Sequence, residues 1–360
     1  MAGFRHDGAA MRTALAVTGL IVALGATTST ARGHDVRTFF AQTLSLDAGE
    51  LDRLDTGEVV TRTLPASDTR EVATVGIVRM RMTPDFYVSR LVDIVNFKHA
   101  DAVLQIGVFG SPPAASDVAT LTLDASDLRN LRDCRVGHCG VQLPAEAIER
   151  FQREVNWLRA DASTRANALM QGFLVDYVSQ YQQAGTSASM RYADETSTLD
   201  TAQEFGSLVR SDLGEWDRFP ALRSHLLQYP ASSPPETRDV LYWSKEKVGR
   251  RSVASITHLA IARTAGESPA EYAIASKQIY GTHYYDASLG LTMLVPDRTS
   301  ATPVTYVAYV NRSRVDVFRG VLGAFTRKIV TMKARTTVSE QLSGLQRTLE
   351  SQFESISTPR

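Results

Sequence analysis

The 360-residue chain has few of the features from which function is usually inferred. It contains only two cysteines, and its 39 Lys and Arg residues balance its 39 Asp and Glu residues. Two cysteines exclude a small disulfide-stapled protein. A formal charge of zero removes the long-range field that attracts nucleic acid, so no nucleic-acid partner is predicted. With 43% hydrophobic and 22% charged residues, the composition is that of a globular protein and excludes a disordered or multi-spanning membrane protein.

Common catalytic and cofactor-binding motifs are also missing. The sequence has no GxxxxGK[ST], GxGxxG, HExxH or GxSxG motif. Residues 244–247 spell SxxK, but they lie in a strand-like run without the helix start and partner motifs of a penicillin-binding site. We therefore expect no cofactor and no metal, and the sequence favours a binding protein over an enzyme.

The N-terminus has the pattern of a secretory signal. Arg12 precedes an apolar run at residues 14–26, and Ser29 and Ala31 occupy the −3 and −1 positions that signal peptidase prefers. We predict cleavage after Ala31 and export to the bacterial periplasm or the extracellular space. A retained anchor is the alternative, although the apolar run is shorter than the roughly 20 residues that span a bilayer. Translation could begin at Met1 or at Met11.

The two cysteines, Cys134 and Cys139, lie close together in the sequence DCRVGHCG. In an oxidising compartment, neighbouring thiols tend to pair, so we predict a structural disulfide between them. A redox-active pair and a metal site that includes His138 remain alternatives. A thioredoxin-type pair has two intervening residues where this one has four.

The first part of the mature chain alternates between strand and helix patterns. Residues 58–64 and 71–82 alternate apolar and polar residues and predict a β-hairpin. Helical spacing follows at residues 84–97. Residues 103–109 and 118–123 then predict two more strands.

The middle of the chain is helical. Apolar residues recur every three or four positions over residues 144–183, with a possible break at 161–164, and shorter helices are predicted at 204–213 and 220–227. We interpret residues 124–238, which include the cysteine loop, as an insertion into a single domain that spans residues 32–354. The tail at residues 355–360 is expected to fray.

Five closely spaced strand patterns follow the insertion and predict an antiparallel meander. An amphipathic helix is then predicted from Val315 to about Ala334, and a last amphipathic segment follows. The predicted fold class is α+β, with an antiparallel sheet, a long C-terminal helix and an inserted helical segment. The five predicted strands lie at residues 240–245, 253–263, 272–280, 284–295 and 304–310.

This order of a hairpin, a short helix, antiparallel strands and a long helix resembles the helix-grip fold of the START and polyketide-cyclase-like ligand-binding superfamily. The resemblance is topological and covers residues 58–123 and 239–335. No subfamily motif is present, so no functional residue can be transferred. The resemblance implies a cavity between the sheet and the C-terminal helix that holds a hydrophobic or amphipathic, lipid-like small molecule.

Seven residues are candidate ligand contacts. His283 and Tyr285 would place a titratable group and a hydroxyl in an apolar cavity if they share a face, and they could instead be ordinary sheet residues. Arg312 and Arg314, at the predicted junction of strand and helix, could bind an anion or could be solvated or paired with acids. His258 is not among the seven, because it alternates with small and aliphatic residues and is more simply a buried sheet residue. The remaining candidates are Tyr242, Lys277 and Tyr280.

Three hypotheses of function follow. The first is an exported carrier of a lipid-like molecule. The second is a hydrolase or isomerase that uses His283 with Tyr285 or a nearby acid. The third is an envelope interaction protein that binds its partner through residues 144–227. A basic run on the C-terminal helix could touch a membrane surface transiently, and the sequence leaves the oligomeric state open. This run consists of Arg327, Lys328, Lys333 and Arg335.

Overall fold

An antiparallel sheet of eight strands organises the molecule in the computed structural model, which describes residues 36–66, 68–210, 214–231, 233–249, 251–264, 269–318 and 323–357. The predicted signal at residues 1–31 lies outside this range. The strands are β1 (Val60–Thr63), β2 (Glu71–Met80), β3 (Val103–Val108), β4 (Arg191–Tyr192), β5 (Leu199–Asp200), β6 (Thr237–Val248), β7 (Arg251–Arg263), β8 (Tyr272–Gly281), β9 (Tyr285–Pro296) and β10 (Thr305–Val315).

The spatial order of the large sheet is β1-β2-β10-β9-β8-β7-β6-β3, and β4 pairs with β5 separately. Every neighbouring pair is antiparallel, so β6 to β10 form the predicted meander. The helices are α1 (Val36–Leu44), α2 (Ala48–Asp55), α3 (Pro84–Leu91), α4 (Ile94–Phe97), α5 (Ala125–Asp133), α6 (Ala145–Glu154), α7 (Ala162–Ala184), α8 (Thr201–Arg210), α9 (Pro220–Gln228) and α10 (Gly323–Ser357). The predicted α+β class is confirmed.

Both faces of the sheet are covered, because side chains alternate between the faces along each strand. Ile256 and Leu291 belong to one face, which packs against α1, α2 and helices of the segment between β3 and β6. We call this the insertion face. Leu259 and Leu294 belong to the opposite face, which packs against α3, α4 and α10. We call this the long-helix face. Among the residues described, no helix combines the length and hydropathy needed to cross a membrane.

The segment between β3 and β6 forms part of the core. Residues of α6 and α7, such as Phe151 and Leu174, are buried against Trp243 and Ile256 of the sheet. The break predicted near residue 161 is confirmed, since α6 ends at Glu154 and α7 begins at Ala162. The helices of this segment are therefore integral to the fold.

Residues 118–123, predicted as a strand, form instead a short 3₁₀ helix at Ala115–Val118 and a loop. Side chains take the place of strand pairing. The Gln105 amide donates to Thr120 O over 2.9 Å and accepts from Thr122 N over 3.0 Å, while Gln171 donates to Leu121 O over 2.8 Å. The apolar alternation in this segment reflects burial of the loop against the helices.

The cysteine loop follows α5 and contains the predicted disulfide. Cys134 and Cys139 are bonded, with their Cα atoms 4.4 Å apart. Gly137, between the two cysteines, has φ +82°, a left-handed conformation that favours glycine. The disulfide closes a small ring, and this backbone conformation is part of it.

The C-terminal helix begins later than predicted. Strand β10 continues to Val315 and is followed by a 3₁₀ turn at Asp316–Phe318, so the predicted helix start at Val315 is wrong. The two predicted C-terminal segments form the single helix α10, which ends at Ser357, inside the tail that was expected to fray. The strand extends because Arg312 and Arg314 keep the alternation and both are buried side chains with acidic partners.

Gly76 of β2 determines how closely α10 approaches the sheet. A Cβ atom at this position would lie 2.6 Å from Leu342 Cδ1 and closer still to Val338 Cγ1. Replacing Gly76 by Ala should therefore lower the free energy of unfolding by about 1–3 kcal/mol, because the helix must move or the side chains must leave their rotamers.

Urea unfolding measures this effect. Gly172→Ala is the control, since nothing lies within 4 Å of a Cβ at that position inside α7 and this change should stabilise the protein by roughly 0.5–1 kcal/mol. An equal effect of both substitutions would contradict the packing of α10 on β2.

Candidate functional site

A cavity of about 190 Å³ lies on the long-helix face, and small polar side chains form its floor. They occur on four neighbouring strands, and the register places Thr257 opposite Gln278 and Ser276 opposite Gly290. Because serine and glycine are small, this part of the face leaves space where the apolar part of the same strands packs tightly. Its polar floor consists of Ser255, Thr257, Ser276, Gln278, Ser288, Asn311 and Ser313.

Three tyrosines and one ion pair also line the cavity, together with Val248, Val253 and Gly290: Tyr242, Tyr285, Tyr309, Lys98 and Glu246. Lys98 Nζ lies 2.7 Å from Glu246 Oε1 and 5.5 Å from the centre of the Tyr242 ring. Burial lowers the pKa of Lys98, but Tyr242 and Glu246 outweigh it and the pKa is raised. Burial raises the pKa of Glu246, but Lys98 outweighs it and the pKa is lowered. Both groups are therefore charged at neutral pH.

The polar side chains of the floor differ in whether they have hydrogen-bond partners within the protein. Ser288 Oγ and Ser313 Oγ are 2.8 Å apart, Ser313 donates to Asn311 Oδ1 over 2.9 Å, and Asn311 donates to the Tyr309 hydroxyl over 3.2 Å. Thr257 and Ser276, by contrast, have no side-chain hydrogen bond to another residue within the described ranges. Their hydroxyls are available to a bound molecule.

A larger, open groove of about 850 Å³ lies between the edge of the sheet and α10. The predicted basic residues Arg327, Lys328 and Arg335 line it together with Glu71 and Glu340. Lys333 is exposed on the same helix. The sequence predicted an apolar space between the sheet and the helix, but this groove carries polar and charged side chains, and no described residue of α10 lines the 190 Å³ cavity.

Only two of the seven candidate ligand residues line the polar cavity, namely Tyr242 and Tyr285. Burial raises the pKa of Tyr285 to about 12, so its hydroxyl is protonated at neutral pH. Tyr280 is buried in the cluster beneath α7 on the insertion face, and its hydroxyl donates to Gln142 O over 3.2 Å.

The two arginine candidates form ion pairs that their place within β10 explains. Arg312 is 1% exposed and lies 2.7 Å from Glu71 and 2.9 Å from Glu215. Arg314 lies 2.7 Å from Glu204. Pairing with acids, the alternative for these arginines, is therefore what the structure shows.

His283 and Tyr285 do not share a face. Tyr284 between them has φ +70° in the turn that connects β8 and β9, and this breaks the strand alternation. His283 is buried, with Nε2 2.9 Å from Asp127 Oδ1 of α5 and Nδ1 3.5 Å from Arg251. The predicted pairing of a histidine with a nearby acid exists, but it lies away from the polar cavity.

Lys277 projects from β8 into the insertion face and is 2% exposed. Its ammonium lies 4.1 Å from the centre of the Phe205 ring and 3.2 Å from Thr186 Oγ1. No carboxylate within the described ranges pairs with it. Burial lowers the pKa of Lys277 to about 7.

Two groups of residues were missed by the sequence analysis. The serines and threonines of the cavity floor occupy every second position of their strands, a pattern that also fits a solvated sheet face. His225, Asp239 and His258, a set of side chains with metal-ligand chemistry, come together from α9, β6 and β7 at spacings that match no known motif.

The buried ammonium of Lys277 makes stability depend on pH. Its folded-state pKa of about 7 lies below the ordinary value of 10.5, so the unfolded chain binds more protons between these values and stability rises with pH. From pH 7 to pH 9 the unfolding free energy should rise by about 2 kcal/mol more in the wild type than in the Lys277→Met variant.

Urea unfolding at both pH values provides the comparison. Lys247→Met is the control, because Lys247 is exposed and its replacement should leave the pH slope unchanged. Parallel pH profiles of the wild type and Lys277→Met would show that Lys277 is not a buried ammonium.

Comparison with known proteins gives no relationship that would assign this site. No protein-family model matches the chain, and no curated protein is similar to it. Functional inference therefore depends on the geometry of the polar cavity and of the residues around it.

Proposed function

We propose that the protein binds an amphipathic small molecule whose polar part lies in the cavity on the long-helix face. The observation that carries this proposal is a set of cavity side chains without protein partners in the part of the chain that is described. Thr257 and Ser276 offer hydroxyls there, and Gln278 offers an amide. Sparse, oriented polar groups of this kind fix a ligand in a pocket.

The charges of the cavity favour a neutral or zwitterionic polar group. Lys98 and Glu246 compensate one another at 2.7 Å, so the site has no net charge. A ligand with one excess charge would lose its hydration on entering the cavity without gaining an opposite charge to pair with. A zwitterion can place its anionic part near Lys98 and its cationic part near Glu246.

The edge of the sheet beside the cavity supplies apolar surface for the rest of the ligand. Val108 of β3 pairs in register with Tyr242 and therefore belongs to the same face, and it is 40% exposed. Ile106 lies next to it on that face, and Val95 of α4 is also exposed. With a volume of about 190 Å³, the cavity is smaller than the roughly 300–1000 Å³ of typical ligand pockets, which suits a head group whose chain lies outside.

The order of elements supports the resemblance to the helix-grip superfamily. Strand β2 is followed by the helix pair α3 and α4, then by β3, by the meander β6 to β10 and by α10, and β2 and β3 flank the meander. Export is also part of the proposal. The disulfide between Cys134 and Cys139 supports a compartment outside the cytoplasm.

Binding of a zwitterionic lysophospholipid below its micelle concentration tests the proposal. The wild type should bind one molecule of lauroyl lysophosphatidylcholine, as measured by native mass spectrometry and calorimetry. Ser276→Leu fills the cavity floor and should weaken this binding by roughly tenfold or more, or about 1.4 kcal/mol.

Ser163→Leu, at an exposed position of α7 on the other side of the sheet, is the matched control and should bind like the wild type. A lack of binding to the wild type, or equal binding to Ser276→Leu, would contradict the proposal.

A further inference from the structure

A second cluster of polar side chains lies on the insertion face, away from the proposed ligand cavity. His225 Nε2 and His258 Nε2 each lie 2.8 Å from the same oxygen, Asp239 Oδ1. Both histidines are completely buried, and the Asp239 side chain is 23% exposed. One nitrogen of each imidazole and one carboxylate oxygen thus converge, with all three atoms within 4.8 Å of one another.

The other nitrogen of each imidazole faces a hydroxyl group. Tyr181 Oη lies 3.0 Å from His258 Nδ1, and Ser233 Oγ lies 3.5 Å from His225 Nδ1. Such contacts fix the orientation of each ring, so that Nε2 points into the shared site. In metal sites, a ligating histidine nearly always has its second nitrogen held by a hydrogen bond of this kind.

We infer that His225, Asp239 and His258 bind a divalent transition-metal ion of the zinc type through the two Nε2 atoms and Asp239 Oδ1. Two neutral imidazoles and one carboxylate are a ligand set that zinc uses. With metal–ligand bonds of about 2.0–2.1 Å, tetrahedral ligands lie about 3.3 Å apart. The present 2.8 Å separations therefore need to widen by about half an ångström, which side-chain rotation can supply.

Three protein ligands leave a coordination position for water or another ligand, as in catalytic zinc sites. The partial exposure of Asp239 gives this position a path to solvent. Tyr229 packs against the cluster, with its ring centre 4.4 Å from that of His258. Gly185, at φ +55°, allows the end of α7 to approach Tyr229 closely, since a Cβ there would overlap the Tyr229 carbonyl.

The inference does not depend on the proposed ligand cavity, because the two sites lie on opposite faces of the sheet. The alternative for the cluster is a purely hydrogen-bonded one, in which both Nε2–H groups donate to Asp239 and no metal binds. Metal titration separates these alternatives directly.

The experiment uses the mature protein, freed of metal with a chelator and dialysed. Titration with Zn²⁺ by calorimetry, and with Co²⁺ by visible absorption, should give one equivalent per chain. Zn²⁺ should also raise the melting temperature of the wild type, because it binds only the folded state. Absence of Co²⁺ absorption bands together with an unchanged melting temperature would overturn the inference.

The Zn²⁺ affinities of single-residue variants show which side chains form the site. His258→Gln should lose more than roughly 100-fold in Zn²⁺ affinity, because removing a ligand costs more than removing a group that orients one. Tyr181→Phe keeps the aromatic ring but removes the hydroxyl beside His258, and its Zn²⁺ affinity should fall roughly tenfold. It also keeps the inference testable if His258→Gln fails to fold.

His283→Gln is the matched control, since His283 is also a buried histidine paired with an aspartate. It should bind Zn²⁺ like the wild type. Equal loss of Zn²⁺ affinity in His283→Gln and in His258→Gln, or unchanged affinity in Tyr181→Phe, would contradict the assignment.

Discussion

Because both faces of the central sheet are covered, each buried polar side chain on it must find a partner inside the protein or face a bound molecule. A buried charge without a partner costs several kcal/mol. Arg312 meets this constraint with two buried acids, Glu71 from β2 and Glu215 from the segment that covers the insertion face. This network connects the sheet with its covering layer. Removal of one partner from such a network typically costs 3–5 kcal/mol.

The two faces satisfy the constraint differently. On the insertion face, polar side chains pair with one another, as in the cluster of His225, Asp239 and His258 and in the pair of His283 and Asp127. Lys277 departs from this pattern, and its lowered pKa is the consequence. On the long-helix face, some polar groups line a cavity instead of meeting protein partners. This difference is why the small-molecule site is proposed on the long-helix face.

The sequence predicts the fold better than it predicts the sites. Alternating apolar residues identify the meander and the hairpin, because side-chain periodicity follows directly from strand geometry. The predicted start of the C-terminal helix was wrong because Arg312 and Arg314 are usual at a solvated helix start, and their acidic partners come from distant parts of the chain. The strand predicted at residues 118–123 was wrong for a similar reason. Its backbone is held by side chains of Gln105 and Gln171.

The sites depend on contacts between residues far apart in sequence, which no local pattern encodes. His225 and His258 are 33 positions apart, and only the packing of α9 on β6 and β7 brings them to Asp239. Tyr242 and Tyr285, which the sequence offered as separate candidates, line the same cavity although they lie on strands that are not neighbours in the sheet. Whether His283 shares a face with Tyr285 could not be decided from the sequence, since the positive φ of Tyr284 cannot be inferred from the residue type.

The central claim is that the polar cavity on the long-helix face holds the head group of an amphipathic ligand. Its most direct test is amide chemical-shift mapping of the deuterated protein with monomeric dodecylphosphocholine. If the cavity binds the head group, the shifts should be centred on Thr257, Ser276 and Asn311 and should extend to Val108 at the sheet edge. Shifts confined to the groove beside Arg327 and Arg335, or no shifts at all, would contradict it.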